Sequence, residues 1–168
     1  MLMMLLAFGA CTLVGHLSAA KLKSRLEGLE QMSLAVYQLG LMIRYVSCPL
    51  AQATARVGQR LDNAFFIELS KRLKDNRNCQ QAWEETMEEA RACDARFAAL
   101  TARDREILSV LAGELGRSDA KTQQQQIELT HKELGVQVDE AKEQWMRKGQ
   151  VYKTLGLMGG LAAAIILW

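Results

Sequence analysis

The chain has 168 residues, of which 24% are charged and 49% are hydrophobic, and its 21 basic and 19 acidic side chains give a formal net charge of +2. This length fits one domain, and so balanced a charge argues against nucleic-acid binding, which usually needs a basic face. One Pro and few β-branched runs argue against an all-β fold. The composition therefore predicts a helical protein.

Both ends of the chain lack charge, because all charged side chains lie between Lys21 and Lys153. Twenty helical residues rise about 30 Å, the thickness of the hydrocarbon core of a bilayer. We therefore predict a transmembrane helix at residues 1–20 and a second, shorter one at residues 154–168, which Trp168 would anchor at an interface. The alternatives are a cleaved signal peptide for the first segment and a buried core helix for the second.

The basic residues beside these segments indicate their orientation. Lys21, Lys23 and Arg25 follow the first segment, whereas a signal peptide would begin with basic residues. By the positive-inside rule, residues 21–153 form a cytosolic domain and both termini lie outside. Four cysteines without a CxxC pair suit the reducing cytosol.

Each predicted span has small residues at every fourth position. This spacing lets helices approach closely in lipid, so the spans would pair with each other or with another membrane subunit. The alternative is the general richness of membrane helices in Gly and Ala. The predicted packing residues are Ala7, Cys11, Gly15 and Ala19 in the first span and Gly156, Gly160 and Ala164 in the second.

Apolar spacing predicts about six helices in total. The first continues from the membrane to about residue 47, where Pro49 breaks it. Shorter helices follow at about residues 49–59, 62–75, 78–93 and 101–115. Asn78 with Gln81, and more weakly Thr101 with Asp104, resemble capping boxes at the starts of the last two.

The last helix is predicted to be long, because a strict 4–3 spacing of mostly apolar residues runs into the second membrane segment without a Pro. Gly116 would supply a left-handed turn, and Ser118 would cap the helix with Asp119 in its first turn. The first and last helices must be antiparallel, since both meet the same membrane, and the short helices would form a distal bundle. The positions of the 4–3 spacing are 127, 131, 134, 138, 141, 145, 148, 152 and 155.

One helix has two like-charged i,i+4 pairs, formed by Glu84, Glu85, Glu88 and Glu89. Each pair costs a few tenths of a kcal/mol in an isolated helix. The face is either a solvated surface or an acidic patch for a basic partner. His131 lies on the predicted seam, where a core residue that sets the register is the simpler interpretation.

The sequence shows no catalytic machinery. It has no Gly-rich phosphate loop, no nucleophile elbow and no His or Cys at metal-ligand spacing. We therefore predict no enzyme activity, no catalytic residue, no metal and no cofactor. A thiol relay through Cys48, Cys79 or Cys93 remains an alternative.

Several stretches resemble the stage III sporulation protein AB family over nearly the whole chain. The chain departs from the family pattern at Met42, where an acid is common, and at Cys48 before the proline. The matching stretches are Leu115-Gly116-Arg117-Ser118-Asp119 with Gln123, Ile127 and Leu134; Ile43-Arg44-Tyr45 with Pro49-Leu50; Ala82-Trp83; Asp104 with Ile107-Leu108; and Lys148 with Tyr152-Lys153-Thr154-Leu155-Gly156 and Gly159-Gly160-Leu161.

The resemblance implies a role in sporulation. Such proteins belong to a mother-cell complex that joins a forespore-side partner to build a channel across the two membranes around the engulfed forespore, and the complex supports forespore development. Their soluble part is similar to the cytoplasmic domain of the type II secretion system F protein, a platform beneath an assembly ATPase. The complex also contains a secretion-type ATPase, the stage III sporulation protein AA.

We therefore expect a non-enzymatic membrane platform on the mother-cell side of the forespore, with its bundle in the cytosol. Its expected partners are the lipid bilayer, the ATPase and other membrane subunits, with a homo-oligomer left open and no nucleic acid or small-molecule substrate. The alternative is a membrane-tethered coiled-coil signalling adaptor. Candidate partner-binding residues are Glu84, Glu85, Glu88, Glu89, Ser118 and Asp119.

Overall fold

The computed structural model describes the backbone of residues 2–46, 48–75, 78–117 and 119–166, and the side chains of 13–46, 48–75, 78–117, 119, 121–148, 151 and 154. Over these residues the fold is all-helical, as predicted, with seven helices and no strand. The helices are α1 Leu2–Val46, α2 Leu50–Leu61, α3 Ala64–Lys74, α4 Cys79–Cys93, α5 Ala95–Ala98, α6 Ala102–Glu114 and α7 Ala120–Ile166.

The short helix α5 is the element that the sequence analysis did not predict. Its cap is Asp94, whose carboxylate accepts the backbone N–H of Arg96 at 2.8 Å. Four residues are too few to show an apolar period. The other helix boundaries lie within a few residues of the predicted ones.

The two predicted capping boxes have different outcomes. At α6, Asp104 N–H donates to Thr101 Oγ1 at 3.2 Å, and Thr101 N–H donates to Asp104 Oδ2 at 2.8 Å, which confirms that box. At α4, Asn78 Oδ1 accepts the N–H of Gln80 at 3.0 Å. Gln81 does not complete that box, because its side chain extends forward along the helix, where its Nε2 donates to Glu85 Oε1 at 3.0 Å, instead of back to the N–H of Asn78.

The long helices α1 and α7 lie antiparallel, because early residues of one contact late residues of the other. Arg25 contacts Gln144, and Ser33 contacts His131. A Cβ added at Gly40 would come within 2.8 Å of Ile127 Cγ2, so the two backbones approach closely at their distal ends. This pair of helices is the stalk that the spacing predicted.

The inward face of α7 follows the predicted 4–3 seam as far as Ala141, but it is wider than that seam. Ile127, Leu134 and Ala141 are buried, and the half-buried Val138 packs against the core, as predicted. The seam fails at Trp145, which is 39% exposed. Beside the seam, the buried Thr130 and the half-buried polar residues Gln137 and Gln144 also face inward.

The short helices pack their aromatic side chains into a cluster beside α1. Phe65 of α3 lies edge-on to Trp83 of α4, with ring centroids 4.9 Å apart, and stacks on Phe97 of α5 at 5.4 Å. Such contacts add about 0.5–1.5 kcal/mol each beyond the area that they bury. The cluster fixes α3, α4 and α5 as one body against the stalk. The prediction that the short helices form a distal bundle is wrong, because Ala95 and Ala98 of α5 line a cavity with Leu17 of α1, beside the first predicted span.

The two predicted transmembrane segments are not confirmed. Among the residues whose side chains are described, no helix is long and apolar enough to cross a membrane. Most of residues 1–20 and 154–168 fall outside that set. The backbone is helical without a break through residues 2–20 and 154–166, and the spans stay a prediction.

Candidate partner-binding surfaces

A buried ion pair joins α1 to α6, and the sequence analysis did not identify it. Arg25 donates from Nε to Asp104 Oδ2 at 2.8 Å and from Nη2 to Oδ1 at 2.9 Å, and the side chains are only 8% and 0% exposed. Two carbonyls of α7 also accept from this guanidinium, Gln137 Oε1 at 3.1 Å and Gln144 Oε1 at 3.4 Å. We call these four residues the polar node.

Each charged group of the polar node stabilises the ionised form of the other. Burial alone would raise the pKa of the Asp104 carboxyl, but hydrogen bonds from Arg25 and Thr101 outweigh it, so the pKa is lowered. The hydrogen bond to Asp104 in turn raises the pKa of Arg25. One feature of the sequence could have predicted the node. Arg25 lies on the same helix face as the apolar residues Leu29 and Met32, and a charge buried there needs a counter-charge.

The predicted acidic face of α4 is partly neutralised from within the fold. Arg72 of α3 donates from Nη1 to Glu85 Oε2 at 2.8 Å and from Nη2 to Glu89 Oε1 at 2.5 Å. The hydrogen bond to Glu89 is the main cause of the raised pKa of Arg72. Glu84, Glu88 and Glu89 are exposed, but Arg91 also donates to Glu88 Oε1 at 2.8 Å, so the acidic charge of this face is smaller than the four residues predicted.

The residues predicted to begin α7 have separate outcomes. Ser118 lies outside the described residues. Asp119 stands just before α7, and the side chain of Thr122 and the backbone N–H groups of the first turn donate to its carboxylate, which lowers its pKa. Asp119 therefore caps the helix rather than lying in its first turn, and Gly116 has the expected left-handed backbone, with φ of 82°.

The predicted helix-packing residues are described only in part. Gly15 and Ala19 are buried, while Leu13, Val14 and Leu17 are exposed, so the small residues lie on the inward face of α1. The side chains of the others lie outside the described residues: Ala7, Cys11, Gly156, Gly160 and Ala164.

An open groove runs along the stalk between α1 and α7, and we call it the stalk groove. His131 Nδ1 lies 3.1 Å from Ser33 Oγ, and its ring stands 5.4 Å from the ring of Tyr37. The predicted seam residue His131 is therefore half-buried with polar and aromatic neighbours. The groove is lined by Glu30, Leu34, Tyr37, His131, Gly135 and Asp139.

The structure bears on metal binding and on one of the three candidate thiols. No group of three His, Cys, Asp or Glu side chains in the described set could hold a metal ion. Burial raises the pKa of the Cys79 thiol to about 11. Because a nucleophilic cysteine needs a lowered pKa, this residue is poorly suited to a thiol relay.

Comparison with known proteins gives one match. The family model described as stage III sporulation protein AB matches residues 1–168, the whole chain. No curated protein and no solved structure matches.

Proposed function

The chain belongs to the stage III sporulation protein AB family, and we propose that it is a membrane platform of the channel between mother cell and forespore. In this proposal the bundle of α2–α6 lies in the mother-cell cytosol and binds a secretion-type ATPase, the stage III sporulation protein AA. The stalk connects this bundle to two membrane spans, which pack with other membrane subunits. The protein itself performs no catalysis, and its role supports forespore development.

The observation that best supports anchoring is an exposed apolar surface at the start of the stalk. Leu13, Val14 and Leu17 are 60%, 63% and 61% exposed, one after another on the outward side of α1. Contiguous apolar surface of this kind marks a protein or membrane contact. Residues 1–20 carry no charge, so lipid is the environment that would cover this surface at least cost.

The unbroken helices support a mechanical link. α1 has 45 residues and α7 has 47, so each rises about 70 Å at 1.5 Å per residue. Movement of the bundle would therefore pass to the membrane through two antiparallel helices that the polar node joins. The proposal requires that the bundle contact a moving partner.

Anchoring is tested with the chain's own cysteines. A variant that keeps only Cys11 places its thiol in the first predicted span, and a matched variant that keeps only Cys93 places an exposed thiol on α4. With a membrane-impermeant maleimide, we expect Cys93 to react only when the cytosolic side is open. Cys11 should react from neither side until detergent is added.

Two outcomes would contradict the anchoring. Cys11 would be labelled from water without detergent, or the full chain would leave the membrane in alkaline carbonate. Either result would favour a peripheral protein.

The contact with the ATPase is tested on the outward acidic residues. We expect Glu84→Lys with Glu88→Lys to abolish co-purification of the ATPase with the full chain, because both carboxylates are exposed on α4. Glu106→Lys is the control, since it changes a similarly exposed acid on α6 (64% exposed). Unchanged co-purification in the α4 variant would remove this face from the proposal.

A further inference from the structure

We propose that the stalk groove binds an amphipathic helix of another protein, which lies over Gly135 with a basic residue next to Glu30 and Asp139. This inference deepens the proposed function, because it names the kind of partner that the stalk would hold. It uses residues outside both predicted spans. Its test is therefore independent of the anchoring.

Gly135 is the first observation behind the proposal. A glycine within a helix destabilises it relative to alanine, so an interior glycine usually has a packing reason. Gly28, Gly40 and Gly58 have one, because an added Cβ would lie within 2.9 Å of a neighbouring atom in each case. At Gly135 an added Cβ would meet nothing within 4 Å, so packing among the described residues does not explain it.

A helix laid in the groove would explain the glycine. Without a Cβ at this position the floor of the groove is flat, and the backbone of a partner can approach closely. The adjoining wall is apolar and exposed: Leu34 and Tyr37 are 47% and 46% exposed. Aromatic and aliphatic side chains beside a small residue form the usual surface for a helix bound through its i, i+3, i+4 and i+7 positions.

The charges around the groove indicate which helix would bind. Glu30 and Asp139 line one end. The continuation of the groove toward the other end is lined by two basic residues, Arg44 and Lys132, and one acid, Glu128, so that end has a net positive charge. Residues 30 and 44 are about 21 Å apart along α1, which matches four turns of a partner helix. A fitting partner has Lys or Arg at the acidic end, an acid near Arg44, and apolar side chains between them.

A second copy of this chain is the weaker occupant. Two copies anchored in one membrane would point the same way, so their stalk grooves would meet level with each other. Glu30 and Asp139 of one copy would then face the same two carboxylates of the other. Like charges placed opposite each other across an interface disfavour that pairing, whereas a partner helix with a basic end has no such conflict.

The test uses the full chain in sporulating cells. Leu34 is replaced by the photoreactive p-benzoylphenylalanine, and the segment that crosslinks to it is sequenced by mass spectrometry. We expect a segment of another protein with apolar residues at helical spacing and Lys or Arg at the end near Glu30. Gly135→Leu should lower the crosslink yield by about tenfold or more, equivalent to one unfavourable side-chain contact.

A second glycine provides the matched control. Gly113 also has room for an added Cβ, whose nearest neighbour would be 3.7 Å away, but it lies on α6 away from the groove. Gly113→Leu should leave the crosslink unchanged. Both variants replace a helix-weakening residue, and each is melted beside the wild type. A crosslink lost from Gly135→Leu at an unchanged melting temperature reflects the groove and not unfolding.

Four results would each overturn the proposal. They are a crosslink between two copies of this chain, a crosslinked segment without the apolar spacing and the basic end, the absence of any crosslink, and a yield unchanged by Gly135→Leu. If the crosslink fails while Cys11 stays protected in the membrane, the groove is wrong and the anchoring stands. If Cys11 is labelled from water while the crosslink appears as expected, the anchoring is wrong and the proposal for the groove stands.

Discussion

Removal of the buried Asp104 carboxylate should strongly destabilise the protein. In Asp104→Ala the guanidinium of Arg25, 6% exposed, would keep only two amide carbonyls as acceptors. Breaking a buried pair by removing one partner costs about 3–5 kcal/mol, and the lost capping box adds about 1 kcal/mol. The expected total of about 4–6 kcal/mol is a large part of the 5–15 kcal/mol that stabilises a typical domain.

The assay is guanidinium unfolding of the full chain in detergent, followed by the helical signal in circular dichroism. Thr101→Ala is the first control, because it removes the other half of the capping box and leaves the ion pair intact. It should cost about 1 kcal/mol of stability. The double variant Arg25→Met with Asp104→Leu is the second. It removes both charges and should recover at least half of the loss, because no charge stays buried alone.

The reasoning would be refuted if Asp104→Ala cost no more than Thr101→Ala. It would also be refuted if the double variant were as unstable as the single one. In either case the free energy of the node would not come from pairing of the two charges.

Four further predictions use the same unfolding assay. Folding lowers the pKa of Asp104 from its ordinary 3.8, so the unfolded chain is protonated at a higher pH than the folded chain. The stabilisation is therefore complete above pH 3.8 and is lost as pH falls through the folded value. The difference in unfolding free energy between wild type and Asp104→Asn should disappear over that range. Arg72→Met should cost only about 0.2–1 kcal/mol, and less at high salt, because its partner Glu89 is 61% exposed; a salt-independent loss would contradict this. Gly28→Ala should cost about 1–3 kcal/mol, since the new Cβ would lie 2.9 Å from a carbonyl oxygen of α5; a gain in stability would show that α5 moves aside freely. Thr130→Val should gain about 1 kcal/mol, because the buried hydroxyl of Thr130 has no hydrogen-bond partner among the described atoms; a loss would indicate that a bound water serves it.

Sequence reasoning worked where apolar period and capping chemistry act locally. The Thr101–Asp104 box is a spacing of three residues, and both of its hydrogen bonds form. The left-handed turn at Gly116 likewise follows from one residue. These features need no knowledge of the rest of the chain.

The same reasoning failed where a distant partner decides the outcome. Gln137 and Gln144 were left out of the predicted seam, yet their carbonyls accept from Arg25, 112 and 119 residues away. Apolar periodicity does not detect a buried polar contact, so the inward face that it predicted for α7 was too narrow and included the exposed Trp145. The acidic face of α4 shows the same limit, since Arg72 lies on another helix.

The pairing of the first and last helices sets a delay during synthesis. The contact of Arg25 with Gln144 cannot form until the ribosome has added 119 more residues, at about 5–20 residues per second. For about 6–24 s, the apolar stripe of Leu29 and Met32, both fully covered in the finished fold, has no α7 to pack against. The nascent chain is then open to chaperones and insertion machinery, and its folding should be slower than that of helical bundles built from local contacts.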